Sequence, residues 1–467
     1  MNKLLILGLI LAFLLLPLPV LAAEEVNKFG IHILEPADLL KAKELVNANG
    51  GDWGFVTVVI RDDDRDAGKW QKFFDDCRRS HLVPMVRLAT HLAGDAWVKP
   101  LPEDLHFWTD FLGSLNWPVK NKYIVVFNEP NHQKEWGGQI NPQEYGRLLE
   151  KTISLFKETS PDFKIINAGL DLAAPNSKET MDALEFWRQI HQEVPDIFAK
   201  LDGWASHSYP NHGYLGTPGQ AGRTSIRGYQ WELAVLKDRF GLTKDLPVFI
   251  TETGWPYQVN SKSEIRNPKF YNQEITAKYI KQAYENVWLP DKRVMAVTPF
   301  VLYYPQPPFA NFSWITAENK ESVQFLTVKD MPKMAWRPEQ EFGLKMEKIT
   351  LPPFLPTSTS FTGKLQIRNT GQSIWGERGM IGLAARTVDA GLEVAPLQIP
   401  GGVLIEPGKT TEIDFTLTSS SRSGELTFAW EHLPEFKIAV VRSGILAQVR
   451  YTLWQKLVFW LEQKLLF

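Results

Sequence analysis

Val125-Val126-Phe127-Asn128-Glu129-Pro130-Asn131 runs from an apolar strand pattern directly into a polar, turn-prone tail. A short apolar run stopped in this way reads as a buried strand whose last residues leave the sheet. Working outward, the same texture recurs at Lys28–Ile33, Phe55–Ile60, Val83–Ala89, Tyr123–Phe127, Lys164–Ala168, Gly203–His207, Val248–Thr251 and Val294–Leu302. Longer amphipathic stretches separate these runs. Pro142–Thr159, Lys178–Glu193 and Asn272–Val287 carry helical spacing, and the last runs up to the helix-stopping Leu289-Pro290. Eight strand–helix units over roughly 300 residues predict an α/β chain folded as a (β/α)8 TIM barrel, residues 25–338. An open doubly wound sheet would more often show a glycine-rich phosphate turn after its first strand, where this chain has Leu34-Glu35-Pro36.

Near residue 340 the texture changes. Leu351-Pro352-Pro353-Phe354-Leu355-Pro356 reads as a stiff, proline-rich joint. Beyond it, Lys364–Arg368, Val403–Ile405, Thr411–Leu417 and Leu426–Trp430 alternate and are bounded by turn residues such as Asn369-Thr370-Gly371 and Glu406-Pro407-Gly408. Short strands at this spacing predict a smaller all-β sandwich, residues 350–450. Ile367 to Trp375 resembles a strand–turn–Trp segment of Ig-like sandwich domains. The last stretch, residues 451–467, has apolar positions at Trp454, Leu457, Val458, Leu461 and Leu465, a helical spacing. The preferred reading is a terminal helix packed on its own domain. The other is an interfacial helix touching a membrane surface.

The 467 residues carry a formal net charge of −2, so no basic field favours nucleic acid, and none is expected as a partner. Cys77 is the only cysteine, so no intramolecular disulfide can form, and its helix-like surroundings do not suggest a nucleophile. Met1-Asn2-Lys3, the apolar run Leu4–Leu16 and the small residues Ala22 and Ala23 match a secretory signal peptide, residues 1–22. An uncleaved N-terminal anchor is the alternative, and either predicts a secreted or cell-surface protein.

The second chemistry-bearing motif is Phe249-Ile250-Thr251-Glu252-Thr253-Gly254-Trp255, at the end of the seventh expected strand. In a TIM barrel the C-terminal strand ends face the active site, so carboxylates on strands four and seven can converge across the mouth. Two convergent carboxyl groups are what glycosidic cleavage needs. One protonates the departing oxygen while the other attacks, or activates water at, the anomeric carbon. Taken singly, Asn-Glu-Pro is a surface turn and Thr-Glu-Thr-Gly a capped strand end. Other chemistries find less support. His207 and His212 lack further ligands at metal-site spacing, and there is neither His-Glu-x-x-His nor Gly-x-Ser-x-Gly. No metal and no cofactor is expected. The glycines Gly219, Gly222 and Gly228 lack a phosphate-loop ending and read as part of a cleft wall.

At its two glutamate motifs the chain resembles glycoside hydrolase clan A, over roughly residues 25–335. The resemblance implies that Asn128 contacts a substrate 2-hydroxyl, that Glu129 is the general acid/base and that Glu252 is the nucleophile. Ser206-His207-Ser208-Tyr209-Pro210 fits the clan's His-x-Tyr after strand six, with Tyr209 set to hydrogen-bond the nucleophile. The clan's arginine falls on Arg61 or Arg87, and Arg87 is preferred because its strand should line the barrel. His91 matches a recurrent histidine position. Relatives often end strand eight in Trp, whereas this chain reads Val301-Leu302-Tyr303-Tyr304-Pro305, so that platform is missing or replaced; Trp255, Tyr304, Trp314 and Trp136 are the candidate replacements, and the structural reading is preferred for each taken singly. The implied activity is that of a retaining glycosidase acting on β-linked oligosaccharide or polysaccharide. The rival readings are a non-catalytic glycan-binding or adhesion module and an envelope scaffold held by the terminal helix.

Overall fold

The computed structural model describes residues 25–258, 269–399 and 401–465. The expected leader, residues 1–22, lies outside them. Eight strands carry the first unit: β1 (Gly30–Ile33), β2 (Gly54–Arg61), β3 (Leu82–Ala89), β4 (Lys122–Val125), β5 (Phe163–Ile166), β6 (Trp204–His207), β7 (Val248–Glu252) and β8 (Val294–Val297). β1 to β5 form one parallel sheet in sequence order, and β8-β7-β6 form a second. Single parallel bridges join the two sheets at both seams, Ile166 to Gly203 and Phe29 to Val297. Each strand therefore has a parallel neighbour on either side.

Period-two alternation divides the apolar residues of these strands between two cores. Phe55, Val83, Met85, Tyr123, Val125, Ile166, Ala205, Phe249 and Ala296 pack on one another. Their sequence neighbours Val56, Val86, Ile124, Ile165, Trp204, Val248 and Val297 pack with residues of the helices. Those helices are α1 (Leu39–Val46), α2 (Ala67–Ser80), α3 (Leu105–Ser114), α4 (Pro142–Thr159), α5 (Ala183–Glu193), α6 (Gly228–Phe240), α7 (Gln273–Ala283) and α8 (Val323–Lys329). Every residue of β3 is buried, as a strand covered on both faces requires.

Several boundaries differ from the sequence reading for local reasons. α4 starts where expected because Asn141 caps it, accepting from the Glu144 N–H, with Pro142 in the first turn. α5 starts at Ala183 rather than Lys178, because the Asp182 side chain accepts from the Leu184 and Glu185 N–H groups. β8 stops at Val297, short of Leu302, since Pro299 has no N–H to continue the ladder. β4 stops at Val125 because Phe127 and Glu129 take positive φ, 70° and 31°.

The second unit has two four-stranded sheets. With β9 (Leu344–Ile349), β10 (Leu355–Pro356), β11 (Ser360–Asn369), β12 (Ile381–Leu383), β13 (Ala385–Val388), β14 (Leu392–Val394), β15 (Leu397–Ile399), β16 (Thr410–Ser419), β17 (Gly424–Trp430) and β18 (Phe436–Val441), the orders are β9-β11-β16-β14 and β10-β18-β17-β13. β12 pairs separately with β15. Residues of both sheets, including Leu365, Ile367, Leu417, Phe428 and Trp430, share one core with Trp375. Two expectations are corrected. Val403–Ile405 is no strand and makes only the Trp375–Ile405 bridge. The proline-rich joint is no free linker, because Leu355–Pro356 pairs in parallel with Val440–Val441 and Leu355 is fully buried.

The terminal helix α9 (Ile445–Leu465) begins six residues before the expected Tyr451. It packs through Tyr451 and Trp454 near Phe354 and Phe361 and leaves Leu446, Val449, Leu453, Leu457 and Trp460 exposed. Among the described residues, no helix is long and apolar enough to cross a membrane.

The two units meet at Arg78. Its buried guanidinium donates from Nε to the Gln372 carbonyl at 2.6 Å and from Nη2 to the Asn116 and Trp117 carbonyls at 3.0 and 3.3 Å. Gln372 returns a bond from Nε2 to the Val119 carbonyl at 3.0 Å. Arg78→Met keeps the stem but leaves these carbonyls without their donor. Urea unfolding is expected to show a loss of about 3 kcal/mol, the cost of stripping a charged donor from buried acceptors. A change below about 0.5 kcal/mol would show that the contact contributes little.

Candidate active site

Strand periodicity sets the site. Val83 and Met85 face the inner core, so two residues on, Arg87 faces the same way at the C-terminal end of β3. β6 and β7 run in register through Ala205–Phe249 and Ser206–Ile250, then slip by one, so that His207 pairs with Glu252 and Thr251 is skipped. This bulge aims Glu252 at the inner face of the strand ring, where the unbroken alternation would have put Thr251. Glu129 reaches the same place from β4 through a left-handed backbone turn, anchored by its N–H to the Gly169 carbonyl at 3.1 Å. A non-glycine residue at positive φ is costly and clusters at functional sites.

The side chains then converge. Arg87 Nη1 donates to Glu252 Oε1 at 2.6 Å and to Asn128 Oδ1 at 2.8 Å. The Tyr209 hydroxyl donates to the other oxygen of Glu252 at 3.1 Å. His207 Nδ1 lies 2.7 Å from Glu129 Oε1 and 3.9 Å from Glu252 Oε2. One oxygen of Glu129 and one of Glu252, together with a His207 ring nitrogen, all lie within 4.8 Å of one another. The Glu252 side chain is 11% exposed and that of Glu129 is 21%, so Glu129 is the more open to solvent.

Burial alone would raise the Glu252 carboxyl, but the positive charges of His207 and Arg87 outweigh it and hold the group down at about 2. Burial opposes a charge on His207 too, yet Glu252 and Glu129 together raise its pKa. Burial and then the Glu252 charge push the Tyr209 hydroxyl well up, keeping it a donor. Three donor atoms this close could take a cation. Arg87 already meets the Glu252 charge, however, and the Nδ1 of His207 is committed to Glu129, so the group is built as an ion-pair network.

The other sequence candidates lie elsewhere. His91 is largely exposed and pairs with Asp62 at 3.0 Å, outside the Glu129–Glu252 cluster. Arg61 turns out to solvent and pairs with Asp63, which leaves Arg87 as the arginine at the site. Trp255 is buried and its indole N–H donates to the Gly216 carbonyl at 2.7 Å, so it braces the loop after β6 and offers no platform. Trp136 and Trp314 are buried as well. Tyr304 is half-buried and meets Phe309 edge to face.

Three residues near the carboxylates had no sequence motif. Tyr214, at positive φ, stands edge-on to Tyr209 with ring centroids 5.3 Å apart. Trp97 and Glu135 line a cleft together with Arg87 and Asn128. Burial, then the Glu129 charge, pushes the Glu135 carboxyl up to about 7. The only signal for these residues was their position in the loops after β3, β4 and β6.

No family model and no curated protein matches the chain. Among solved structures it is similar to the GH39 enzyme from Xanthomonas axonopodis pv. citri, at 14% identity and TM-score 0.43, over 85% of this chain and 96% of that one. It is also similar to a GH39 beta-xylosidase from Caulobacter crescentus, at 12% identity and TM-score 0.48, over 85% and 98%. A third is a family 51 alpha-L-arabinofuranosidase from Bifidobacterium longum, at 11% identity and TM-score 0.44, over 85% and 96%. These are clan A glycosidases, the group that the two glutamate motifs resemble. The likenesses are distant, and the functional reading rests on the side-chain geometry.

Stability should follow the depressed Glu252 pKa. Its contribution is complete above the ordinary carboxyl value of 4.5 and is lost as pH falls towards about 2. Arg87→Met removes one of the two charges that hold it down. Difference titration of the variant, read by ¹³C NMR of the glutamate carboxyls, is expected to move Glu252 up by about 1–3 units. An unmoved titration would mean that Arg87 does not set the charge state of Glu252.

Proposed function

We propose that the chain is a retaining glycoside hydrolase cleaving β-linked oligosaccharide or polysaccharide. In this reading the eight parallel strands are a closed (β/α)8 barrel, residues 25–338, followed by an Ig-like sandwich. The observation that carries it is the approach of Glu129 and Glu252 to within 4.8 Å. A double displacement needs carboxyl groups about 5–5.5 Å apart, whereas inversion leaves room for water at about 6.5–9.5 Å.

Glu252 attacks the anomeric carbon while Glu129 gives its proton to the leaving oxygen. The glycosidic bond breaks as the glycosyl–Glu252 ester forms. Glu129 then takes a proton from water, which attacks the same carbon and releases Glu252. Arg87 and Tyr209 hold the two oxygens of Glu252 and favour its charged form. His207 orients Glu129. Asn128, whose Oδ1 accepts from Arg87 and whose side chain also hydrogen-bonds Glu135, is held beside Glu129, where the resemblance to clan A puts a sugar-hydroxyl contact.

Glu252→Ala is expected to abolish turnover of activated aryl β-glycosides with near-UV circular dichroism unchanged. Glu129→Ala should retain cleavage of the best leaving groups but stall at the ester. Azide, which needs no general base, should then restore turnover and give a β-glycosyl azide by NMR. Wild-type turnover with inverted anomeric configuration would remove the double displacement.

For location, we propose export through the leader at residues 1–22. Mass spectrometry of protein from the native host is expected to find a mature N-terminus at Ala23 in the extracytoplasmic fraction. A cytoplasmic chain retaining Met1 would contradict this.

A further inference from the structure

Helix α9 carries apolar residues on two opposite faces, and the sandwich covers one of them. Tyr451 and Trp454 pack on the sandwich core, and Val458 borders the groove between α9 and β11. Tyr451 is buried, and the Trp454 ring stands 5.8 Å from that of Phe361. Leu446, Val449, Leu453, Leu457 and Trp460 fall on the other side at steps of three and four residues. They form one stripe about four turns, or about 20 Å, long. Each is between 50% and 68% exposed. This stripe does not hold the helix to its domain, since the opposite face does that. A contiguous apolar strip on a surface marks a contact that takes it out of water.

The charges around the stripe select its occupant. From Arg442 to Leu461 the chain has three basic residues and no acidic one. Arg450 and Lys456 are both exposed, and helical geometry puts them on the two long edges of the stripe, either side of Leu453. No salt bridge engages either of them among the described residues.

A second copy of the chain answers this pattern badly. Antiparallel pairing about Leu453 would set Arg450 of one protomer against Lys456 of the other, twice. Parallel pairing would set each cation against its own counterpart. Neither arrangement brings a carboxylate to the interface, and like charges so close repel.

An anionic lipid surface answers both features. Its phosphates meet the two cations, whose long stems reach past the apolar row. The boundary between headgroups and acyl chains takes up the leucines, and it is where the amphipathic ring of a tryptophan settles. Because Tyr451 and Trp454 hold α9 against the sandwich, the helix can meet a bilayer only with its side. That is the posture of an interfacial helix, and among the described residues no helix is long and apolar enough to cross a membrane.

We propose that the exposed face of α9 is a docking surface for an anionic lipid bilayer, with the Leu446–Trp460 stripe seated at the headgroup boundary and Arg450 and Lys456 on lipid phosphates. The surface does not depend on the hydrolase reading.

The test is co-sedimentation with sucrose-loaded vesicles, using purified protein that begins at Ala23. That protein keeps both folded units and omits the apolar run Leu4–Leu16. One vesicle set is phosphatidylcholine alone, and the other contains about 30% phosphatidylglycerol. Wild type is expected to bind the anionic set at least about tenfold more tightly than the neutral set, and to lose this preference as salt is raised. Leu453→Gln combined with Leu457→Gln should weaken binding to the anionic set at least about tenfold. Arg450→Gln combined with Lys456→Gln should bring that binding to within about threefold of the neutral level. All four positions are exposed, so thermal unfolding should match wild type.

Failure to pellet with the anionic vesicles would overturn the proposal. So would equal binding to both vesicle sets, or binding undiminished in the double leucine variant. Sedimentation velocity tests the remaining occupant. Wild type is expected to run as a monomer, and a dimer that the double leucine variant dissolves would give this face to a second copy and overturn the bilayer.

Discussion

A carboxylate withdrawn from water is tolerated only when its charge is met, and Glu252 is met by Arg87 at 2.6 Å. That contact ties chemistry to architecture. Arg87 faces inward because β3 alternates, and Glu252 because β7 slips one residue against β6. If either strand were displaced by one residue, a charged side chain would be driven toward the helix-packed core and away from its partner across the ring. Foldability and the electrostatics of the site therefore demand the same register.

Much of the first unit was legible in the sequence because parallel strands buried on both faces read as unbroken apolar runs. The runs located all eight strands, with ends off by a few residues where a single group decided, such as Pro299 beyond β8 or the Asp182 cap of α5. The second unit was harder. Alternation found β11, β16 and β17, but three-residue strands such as β12, β14 and β15 leave too short a pattern to recognise. The Leu351–Pro356 segment looked like a linker on composition. Only three-dimensional pairing could reveal that Leu355–Pro356 serves as an edge of the sheet.

The site divides along the same line. Arg87, Glu129, His207 and Glu252 were named through the motifs that resemble clan A, at or just past strand ends; the bulge that turns Glu252 inward and the left-handed turn that carries Glu129 have no signal in the strand pattern. Residues contributed by the loops beyond carried no such motif. Trp97 and Glu135 come together through a backbone bond between two loops, and no periodicity encodes that bond. The three tryptophan candidates take the structural place favoured for each when taken singly. A tryptophan beside a motif can face the cleft or the core, and Trp255, Trp136 and Trp314 all fill the core.

The two glutamates also differ in how their charges are held, and the proposed division of labour follows from that difference. Glu252 takes a guanidinium on one oxygen and a phenolic hydroxyl on the other, and burial together with the Glu252 charge keeps that hydroxyl protonated. In the proposed cycle Glu252 is thus held as an anion except while it is esterified to the sugar. Glu129 has one side-chain donor, His207, which itself titrates, and it is the more solvent-exposed of the pair. A group that must gain and lose a proton at each turnover needs such an adjustable partner and an exchange route to water; a nucleophile needs neither. Exchanging the two roles would ask the arginine-bound carboxylate to pick up a proton against a guanidinium 2.6 Å away. The asymmetry of the donors, more than the identity of the two residues, is what supports the proposed roles of acid for Glu129 and nucleophile for Glu252.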